Sequence, residues 1–523
     1  MKFLEKILPR DYQKKILETC INKNCLVVLP TGLGKTLIAL MLSVERMKKF
    51  PGEKVVFLAP TKPLAEQQLD YFKKNLPDLF GEMQLFTGLV KSEKRKEIWQ
   101  TADIIFSTPQ CVGNDLRKEL YDLKDVCLLV EDEAHRCIKN YDYNYVARKY
   151  RQQAAHPRIL GLTASPGSET SKIKEICENL SIEEVELRAR ESSDVKPYLQ
   201  ELKFEKIIID LPGEFLKMKD ALSKLFSGYV NELRNRKILW APPSKTELIK
   251  LQKKIMLSIA RGNKNYNTLL ASSACAQAIK IQHALELLET QTLSGFNKYL
   301  RELFRQAAKK ETRGVVKLVA KPEFNYVFIK SNELLTKNIE HPKIPKLVEL
   351  IKKEKEENKN IKIIVFTQFR DTANSISKKI NDIPGINPKV FVGQAKKGGT
   401  GAVSGLSQKE QKKIIQDFSS GKINVLCATS IGEEGLDIPE VNVVIFYEPV
   451  PSAIRSIQRA GRTARLMEGK LIMLITRKTR DESYFYISKA KEKKMHSAIN
   501  SIREKLSNKT RDKIKSEIQK ELK

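Results

Sequence analysis

A chain of 523 residues is too long for one hydrophobic core, so two to four domains are expected. Hydrophobic residues at 41% exclude a largely disordered chain; the N-terminal MKFLEKILPRDYQ is too short and charged for a signal peptide, and no apolar run reaches bilayer length, which excludes a membrane partner. The 94 lysines and arginines outnumber 63 acidic residues, leaving a formal charge of +31 that points to a polyanion such as nucleic acid.

From Cys25 to about Val195, short apolar runs alternate with helical patterns. NCLVVLP, KVVFLAP, ADIIFSTP, VCLLVED and RILGLTAS read as strands, each closing in a polar or Gly/Pro turn. Continuous apolar strands separated by helices predict a parallel sheet covered on both faces, with ligands at the carboxyl ends of its strands. From about Glu205 to Asn338 the texture turns helical and basic, as in Leu222, Leu225, Phe226, Tyr229, Val230 and Leu233. From Ile344 the alternation returns with IKIIVFTQ, KVFVG, INVLCATS, VNVVIFYEP and KLIMLITR. The predicted fold is therefore α/β: two parallel-sheet domains, residues 1–204 and 339–490, with an α-helical insertion at 205–338. Residues 491–523 read as a basic helical tail, a solvated helix or frayed terminus.

The eight cysteines form no CxxC pair, and several lie in apolar runs, which predicts reduced core thiols in an intracellular, cytoplasmic protein. Trp99 and Trp240 read as packing or surface residues before base-stacking ones, and the Gly/Lys-rich stretch from Gly393 to Gly405 as a flexible loop.

Pro30-Thr31-Gly32-Leu33-Gly34-Lys35-Thr36 follows a strand and opens a helix. Its glycines let backbone N–H groups cradle the phosphates of ATP; Lys35 would reach the β- and γ-phosphates and the Thr36 hydroxyl would ligate Mg²⁺. The spacing is shorter than GxxxxGKT. The strand ending in Glu131-Asp132-Glu133-Ala134-His135 would deliver Asp132 to Mg²⁺, through water, and Glu133 to the attacking water as general base. In Gln458-Arg459-Ala460-Gly461-Arg462-Thr463-Ala464-Arg465, Arg462 and Arg465 share one helix face and would cross the cleft to the γ-phosphate; a basic surface helix is the blander alternative.

PTGLGKT, DEAH, TAS and QRAGRTAR, in that order, resemble a superfamily 2 helicase of the DEAH-box kind, which implies that the two parallel-sheet domains are RecA-like. The resemblance implies further roles: Arg10 and Gln13 beside adenine, Pro60, Thr61, Lys62 and Thr108 on a strand's backbone, and Thr163 and Ser165 coupling hydrolysis to grip. In the second domain it implies Thr367, Gln368 and Thr429 on the strand, Gly435 and Asp437 at the nucleotide, and Gln458 with the arginines in catalysis. APTKPLAEQQ, GLTASPG, FTQFRDTA, ATSIGEEGLDIP and QRAGRTAR are similar to the archaeal Hef helicases, kin of the Fanconi-anaemia M translocases, over nearly the whole chain to about Asn500. That family implies ATP-dependent action on forked, branched or single-stranded DNA in replication-fork repair, at the nucleoid, with the insertion gripping duplex and with a sliding-clamp or nuclease partner. No acidic ERK-type nuclease signature is seen, so nuclease activity is not expected of this chain. The second candidate is the Dicer-related group of duplex-RNA-sensing ATPases, a switch without processive unwinding; the 2′-OH contacts separating DNA from RNA cannot be read from one sequence.

Overall fold

A computed structural model of the chain describes residues 8–77, 80–393, 405–429, 438–452, 463 and 468–521, with the backbone alone at 507 and from 509 onward. The first lobe runs α1 (Asp11–Asn22), β1 (Cys25–Val28), α2 (Lys35–Lys49), β2 (Lys54–Leu58), α3 (Lys62–Asn75), β3 (Met83–Phe86), α4 (Ser92–Thr101), β4 (Ile104–Ser107), α5 (Pro109–Arg117), β5 (Val126–Asp132), α6 (Asp142–Gln153), β6 (Ile159–Thr163), α7 (Thr170–Asn179) and β7 (Glu184–Leu187). All seven strands pair parallel, in the order β3-β4-β2-β5-β6-β1-β7. The apolar runs of β1, β4, β5 and β6 are buried throughout, as a sheet covered on both faces requires. The strands β3 and β7, MQLF and EVEL, carry polar residues inside four-residue runs and so announce themselves weakly in the sequence.

The second sheet comprises β8 (Leu202–Ile209), β9 (Ile363–Phe366), β10 (Pro388–Phe391), β11 (Val425–Ala428), β12 (Val443–Phe446) and β13 (Gly469–Thr476), parallel in the order β10-β11-β9-β12-β13-β8. The boundary expected between residues 204 and 205 falls inside β8, which pairs with β13 along its whole length. Charged residues interrupt its pattern because it is an edge strand, with Phe204 and Ile208 exposed. The insertion therefore leaves from the second lobe and returns to it. It comprises α8 (Gly213–Asn235), α9 (Lys245–Ala260), α10 (Tyr266–Thr290), α11 (Leu293–Ala308), α12 (Arg313–Val319) and α13 (Pro322–Thr336), followed by α14 (Lys343–Glu357), α15 (Arg370–Ile380) and α16 (Gln408–Ser419) among the strands of the second lobe.

A buried lysine of α14, neutralised within that lobe, fastens the insertion to it. Lys343 Nζ lies 2.5 Å from Asp481 Oδ2, both side chains have no exposure, and the same ammonium donates to Thr290 O at the end of α10, at 3.2 Å. Trp99 is buried and stacks on Tyr121 at 3.9 Å, whereas Trp240 is 80% exposed. All eight cysteines are free and buried. Among the described residues no helix is long and apolar enough to cross a membrane.

The expected solvated tail is corrected. The helix α17 (Arg480–Glu521) starts on the second lobe and crosses to the first. Phe485 packs in the second lobe's core and stacks on Phe204, and Arg480 donates to Gln282 O of the insertion at 3.1 Å. Farther along, Met495, Ala498, Ile499 and Ile502 are buried in the first lobe's core with Ile173, Ile176 and Val185, and Arg503 pairs with Glu184 at 3.7 Å. The lysines between these apolar positions conceal the stripe in a composition-level reading. Trimming Ile499 to alanine should cost about 2–5 kcal/mol. A thermal melt of Ile499→Ala that superimposes on the parent would show that this face is not packed.

Candidate functional site

The phosphate loop occupies the carboxyl end of β1, where the strand gives way to α2. Gly32 and Gly34 hold φ of +85° and +81°, conformations that side chains with a Cβ disfavour. At Gly34 a Cβ would also lie 2.3 Å from Gln13 Nε2, so glycine is required there twice over. Lys35 Nζ donates to Leu29 O at 2.9 Å, folding the ammonium back over its own loop. Leu33 is buried, Gly34, Lys35 and Thr36 are half-buried, and the Thr31 hydroxyl is buried without a hydrogen-bond partner among the described residues.

Arg10, Tyr12 and Gln13 clamp this loop from α1 and its N-cap. Gln13 Nε2 donates to Leu33 O at 3.1 Å, its Oε1 accepts from Arg10 N at 2.9 Å, and Tyr12 OH donates to Leu33 O at 2.8 Å. Both ends of the amide expected to face adenine are thus engaged by the chain's own backbone. Tyr198 packs edge-on to Tyr12 at 5.7 Å, and Arg10 lies over the Tyr198 ring at 5.2 Å. Nothing in the local pattern singles out Tyr198, which sits more than 180 residues from Tyr12.

The acidic turn closes β5, next to β6 in the sheet. Asp132 is buried; its Oδ1 accepts from Glu133 N at 3.0 Å and its Oδ2 from Gln68 Nε2 at 3.2 Å. Burial and the neighbouring Glu133 charge raise its pKa, against the pull of Lys35. Burial also works against the Glu133 charge, but His135, Lys35 and Arg136 more than offset it and hold that carboxyl below its ordinary range. Glu133 adopts φ of +54°, a left-handed conformation uncommon for a residue with a Cβ. His135 Nδ1 lies 3.3 Å from Glu133 Oε2 and 3.2 Å from Thr163 Oγ1, and the Thr163 hydroxyl also accepts from Ser165 N at 3.1 Å. Ser165 Oγ in turn donates to Met495 Sδ on α17, at 2.9 Å. The expected coupling pair therefore joins the acidic turn to a helix rooted in the other lobe.

Two helix N-termini open beside this centre. Thr61 is the N-cap of α3 and Thr108 of α5; each is followed by proline within two residues, and neither hydroxyl caps its own helix. The Thr61 hydroxyl is buried with no hydrogen-bond partner among the described residues. The parent strands β2 and β4 are neighbours in register, Leu58 beside Ser107, so both termini emerge on one edge. Uncapped N–H groups and the helix dipole suit them to phosphate. Pro60 is buried behind them, and Lys62 pairs with Glu66 at 3.4 Å. Glu66 also pairs with Lys412 of α16 at 2.7 Å, across to the second lobe.

In that lobe Thr367 does not meet its expectation of facing a strand. It is fully buried, and its hydroxyl donates to Glu448 Oε1 at 3.2 Å. Gln368 is half-buried with its backbone N–H on the same carboxylate, and Thr429 closes β11 with little exposure. Gly435, Asp437, Gln458, Arg462 and Arg465 lie outside the described residues.

The residues present fit a Mg²⁺–nucleotide pair. A buried carboxylate holding only N–H donors, an orphaned hydroxyl in a glycine loop and a mobile-length ammonium are complementary to a divalent cation and a triphosphate. Asp132 and Thr36 are the groups that would hold such an ion.

Residues 10–173 match the family described as DEAD/DEAH box helicase, residues 342–467 the Helicase conserved C-terminal domain, and residues 215–337 the family described as "Putative ATP-dependent RNA helicase, helical bundle". The chain is 41% identical to the Pyrococcus furiosus Hef helicase domain in its crystal structure, with a TM-score of 0.70, over 92% of this chain and 98% of that one. It is 38% identical to "Putative ATP-dependent RNA helicase MJ1505" of Methanocaldococcus jannaschii, over 93% of this chain and 60% of the relative. It is 32% identical to the Fanconi anemia group M protein homolog of Mus musculus, over 95% of this chain and 26% of the relative.

Glu131, just before Asp132, offers a test of burial. It has no exposure, accepts from the Cys137 thiol at 2.9 Å, and is pushed up to about 8 by burial. Between the ordinary carboxylate range and pH 8 the unfolded chain releases this proton while the folded chain keeps it, so stability falls as pH rises through that window. Glu131→Gln removes the titration and keeps an acceptor for Cys137. Its Tm relative to the parent should climb from pH 5 to pH 8 by at least about 2 °C; parallel Tm profiles would mean that Glu131 ionises normally in the fold.

Proposed function

Because the chain belongs to the Hef family of superfamily 2 helicases, we propose that it is an ATP-driven motor acting on forked or branched DNA, in replication-fork repair at the nucleoid. The observation that carries this reading is the meeting of Lys35, Asp132 and Glu133 at the carboxyl ends of the first sheet, beside uncapped helix N-termini at Thr61 and Thr108. The first half of the pair binds and splits a nucleotide; the second holds phosphates of a strand.

Lys35 carries the β- and γ-phosphates, and the N–H groups of the Thr31–Gly34 loop surround them. Bound Mg²⁺ would screen the triphosphate's charge, held by Asp132 and Thr36. Glu133, ionised at neutral pH and aimed by its strained backbone, takes the proton of the attacking water. His135 links that carboxylate to Thr163 and so to Ser165. Arg462 and Arg465 are assigned to supply positive charge to the γ-phosphate and Gln458 to act with them in catalysis, and Gly435 and Asp437 are assigned to nucleotide binding. Thr61, Lys62, Thr108, Gln368 and Thr429 grip one strand, and the basic insertion takes the adjoining duplex. Arg10 and Gln13 meet adenine once the amide exchanges its bonds to the loop.

Lys35→Ala, Glu133→Gln and Arg462→Ala should each lower DNA-stimulated ATPase turnover about 10³-fold or more; near-parental turnover in any one removes its assigned role. Raising salt from 50 to 200 mM should weaken DNA binding at least about a hundredfold if phosphate contacts dominate. The deciding comparison is ATPase stimulation by single-stranded DNA, a fork, a four-way junction and duplex RNA. Strongest stimulation by duplex RNA, with no strand displacement on a fork, would replace the DNA motor with an RNA-sensing switch; an RNA substrate is what the helical-bundle family's name suggests.

A further inference from the structure

The helix that begins at Thr61 reaches the nucleotide site with its next turn but one. Along α3, Ala65, Gln68 and Phe72 form the buried face. A leucine or methionine at the middle position would pack as well. Instead an amide is buried there at 6% exposure, with its Oε1 unpartnered among the described residues and its Nε2 on Asp132 Oδ2 at 3.2 Å. A half-satisfied buried amide is unfavourable for the fold, so the bond it does make calls for an account beyond packing.

The other bonds to Asp132 hold its main chain and one carboxylate oxygen, and leave the second oxygen to Gln68. Tyr143 OH donates to its main-chain oxygen at 2.6 Å and lies 3.4 Å from Leu58 O at the end of β2. The adjacent Glu133 N–H fixes one carboxylate oxygen locally. Among the described residues, the long-range hydrogen bond that sets the other oxygen comes from Gln68, seven residues from the strand-facing N-cap of the same helix. Glu66, two residues before it, pairs with Lys412 of the second lobe at 2.7 Å. One helix thus carries an end for the strand, a contact for the opposing lobe and a hydrogen bond for the metal-facing carboxylate.

We propose that Gln68 is a positioning residue that couples strand binding to metal-nucleotide binding by setting the direction of the Asp132 carboxylate. It rests on the motor reading above. When a strand's phosphate settles on the N-terminus of α3, any shift of that helix moves the Gln68 amide, and the carboxylate turns with it. Side chains that orient a metal's ligand typically change metal affinity 10–100-fold when removed.

The test uses Gln68→Met, which keeps the length and bulk of the side chain and deletes the bond. Binding of a fluorescent ADP analogue is measured with Mg²⁺ and with EDTA, in the presence and absence of single-stranded DNA. In the parent, Mg²⁺ should tighten binding, and DNA should enlarge that Mg²⁺-dependent ratio. In Gln68→Met the Mg²⁺-dependent ratio should fall about tenfold with the Kd in EDTA unchanged, and DNA should no longer alter it. A ratio within twofold of the parent's, or an equal change in both Kd values, overturns the proposal, the second outcome marking a packing role alone. A parent whose ATPase no nucleic acid stimulates sinks the motor reading instead. Thermal melts accompany both proteins; a packing role predicts a changed Tm without a changed Mg²⁺ ratio.

Discussion

Asp132 stands where a fully buried strand runs out of neighbours. The seven residues of β5 are covered on both faces, so its last carboxylate leaves the sheet inside protein rather than in water. Negative charge in such a place must be met by something. Here it is met by two N–H donors, by the nearby Lys35 and by the geometry of a turn that bends Glu133 into a left-handed conformation. The surrounding features follow from that demand. The glycines of the phosphate loop let Lys35 approach, His135 balances the second carboxylate, and Tyr143 and Gln68 brace the strand end and its side chain.

The bracing reaches outward along polar contacts and along α3 itself. From Glu133 the path runs through His135, Thr163 and Ser165 to Met495, and from Asp132 through Gln68 along α3 to the Glu66–Lys412 pair. The first path ends on the helix that starts on the other lobe, and the second on a residue of that lobe. The insertion, by contrast, is fixed to the second lobe by Lys343, whose buried ammonium pairs with Asp481 of its own lobe and donates to Thr290 O at the end of α10. Removing either partner would leave a buried charge alone, at a cost of about 3–5 kcal/mol. A body fastened in this way turns with the lobe that holds it.

Much of this was legible in the chain because strong signals came from backbone necessity. Gly32 and Gly34 have positive φ, and an added Cβ at Gly34 would push the Gln13 amide off Leu33 O, so glycine is favoured at both positions. The apolar runs of β1, β5 and β6 announced a covered parallel sheet for the same reason. Tertiary choices were less visible. Leu202–Ile209 reads as mixed because an edge strand shows one face to water, so the domain boundary shifted. Thr367 sits in a helicase-like run yet gives its hydroxyl to Glu448, a partner 81 residues away. Gln68 is one polar letter in an amphipathic helix, and only burial shows that it points inward. Arg462 and Arg465 remain where sequence alone places them.

The crossing of α17 bears on how the molecule comes into being. Met495, Ala498, Ile499 and Ile502 fill the first lobe's core, yet they are synthesised some three hundred residues after the last strand of its sheet. A nascent first lobe emerging from the ribosome would carry an uncovered apolar seam over Ile173, Ile176 and Val185 while the insertion and second lobe are being made. Protection by a chaperone, or late docking as the rate-limiting event of maturation, is the natural outcome of such an order.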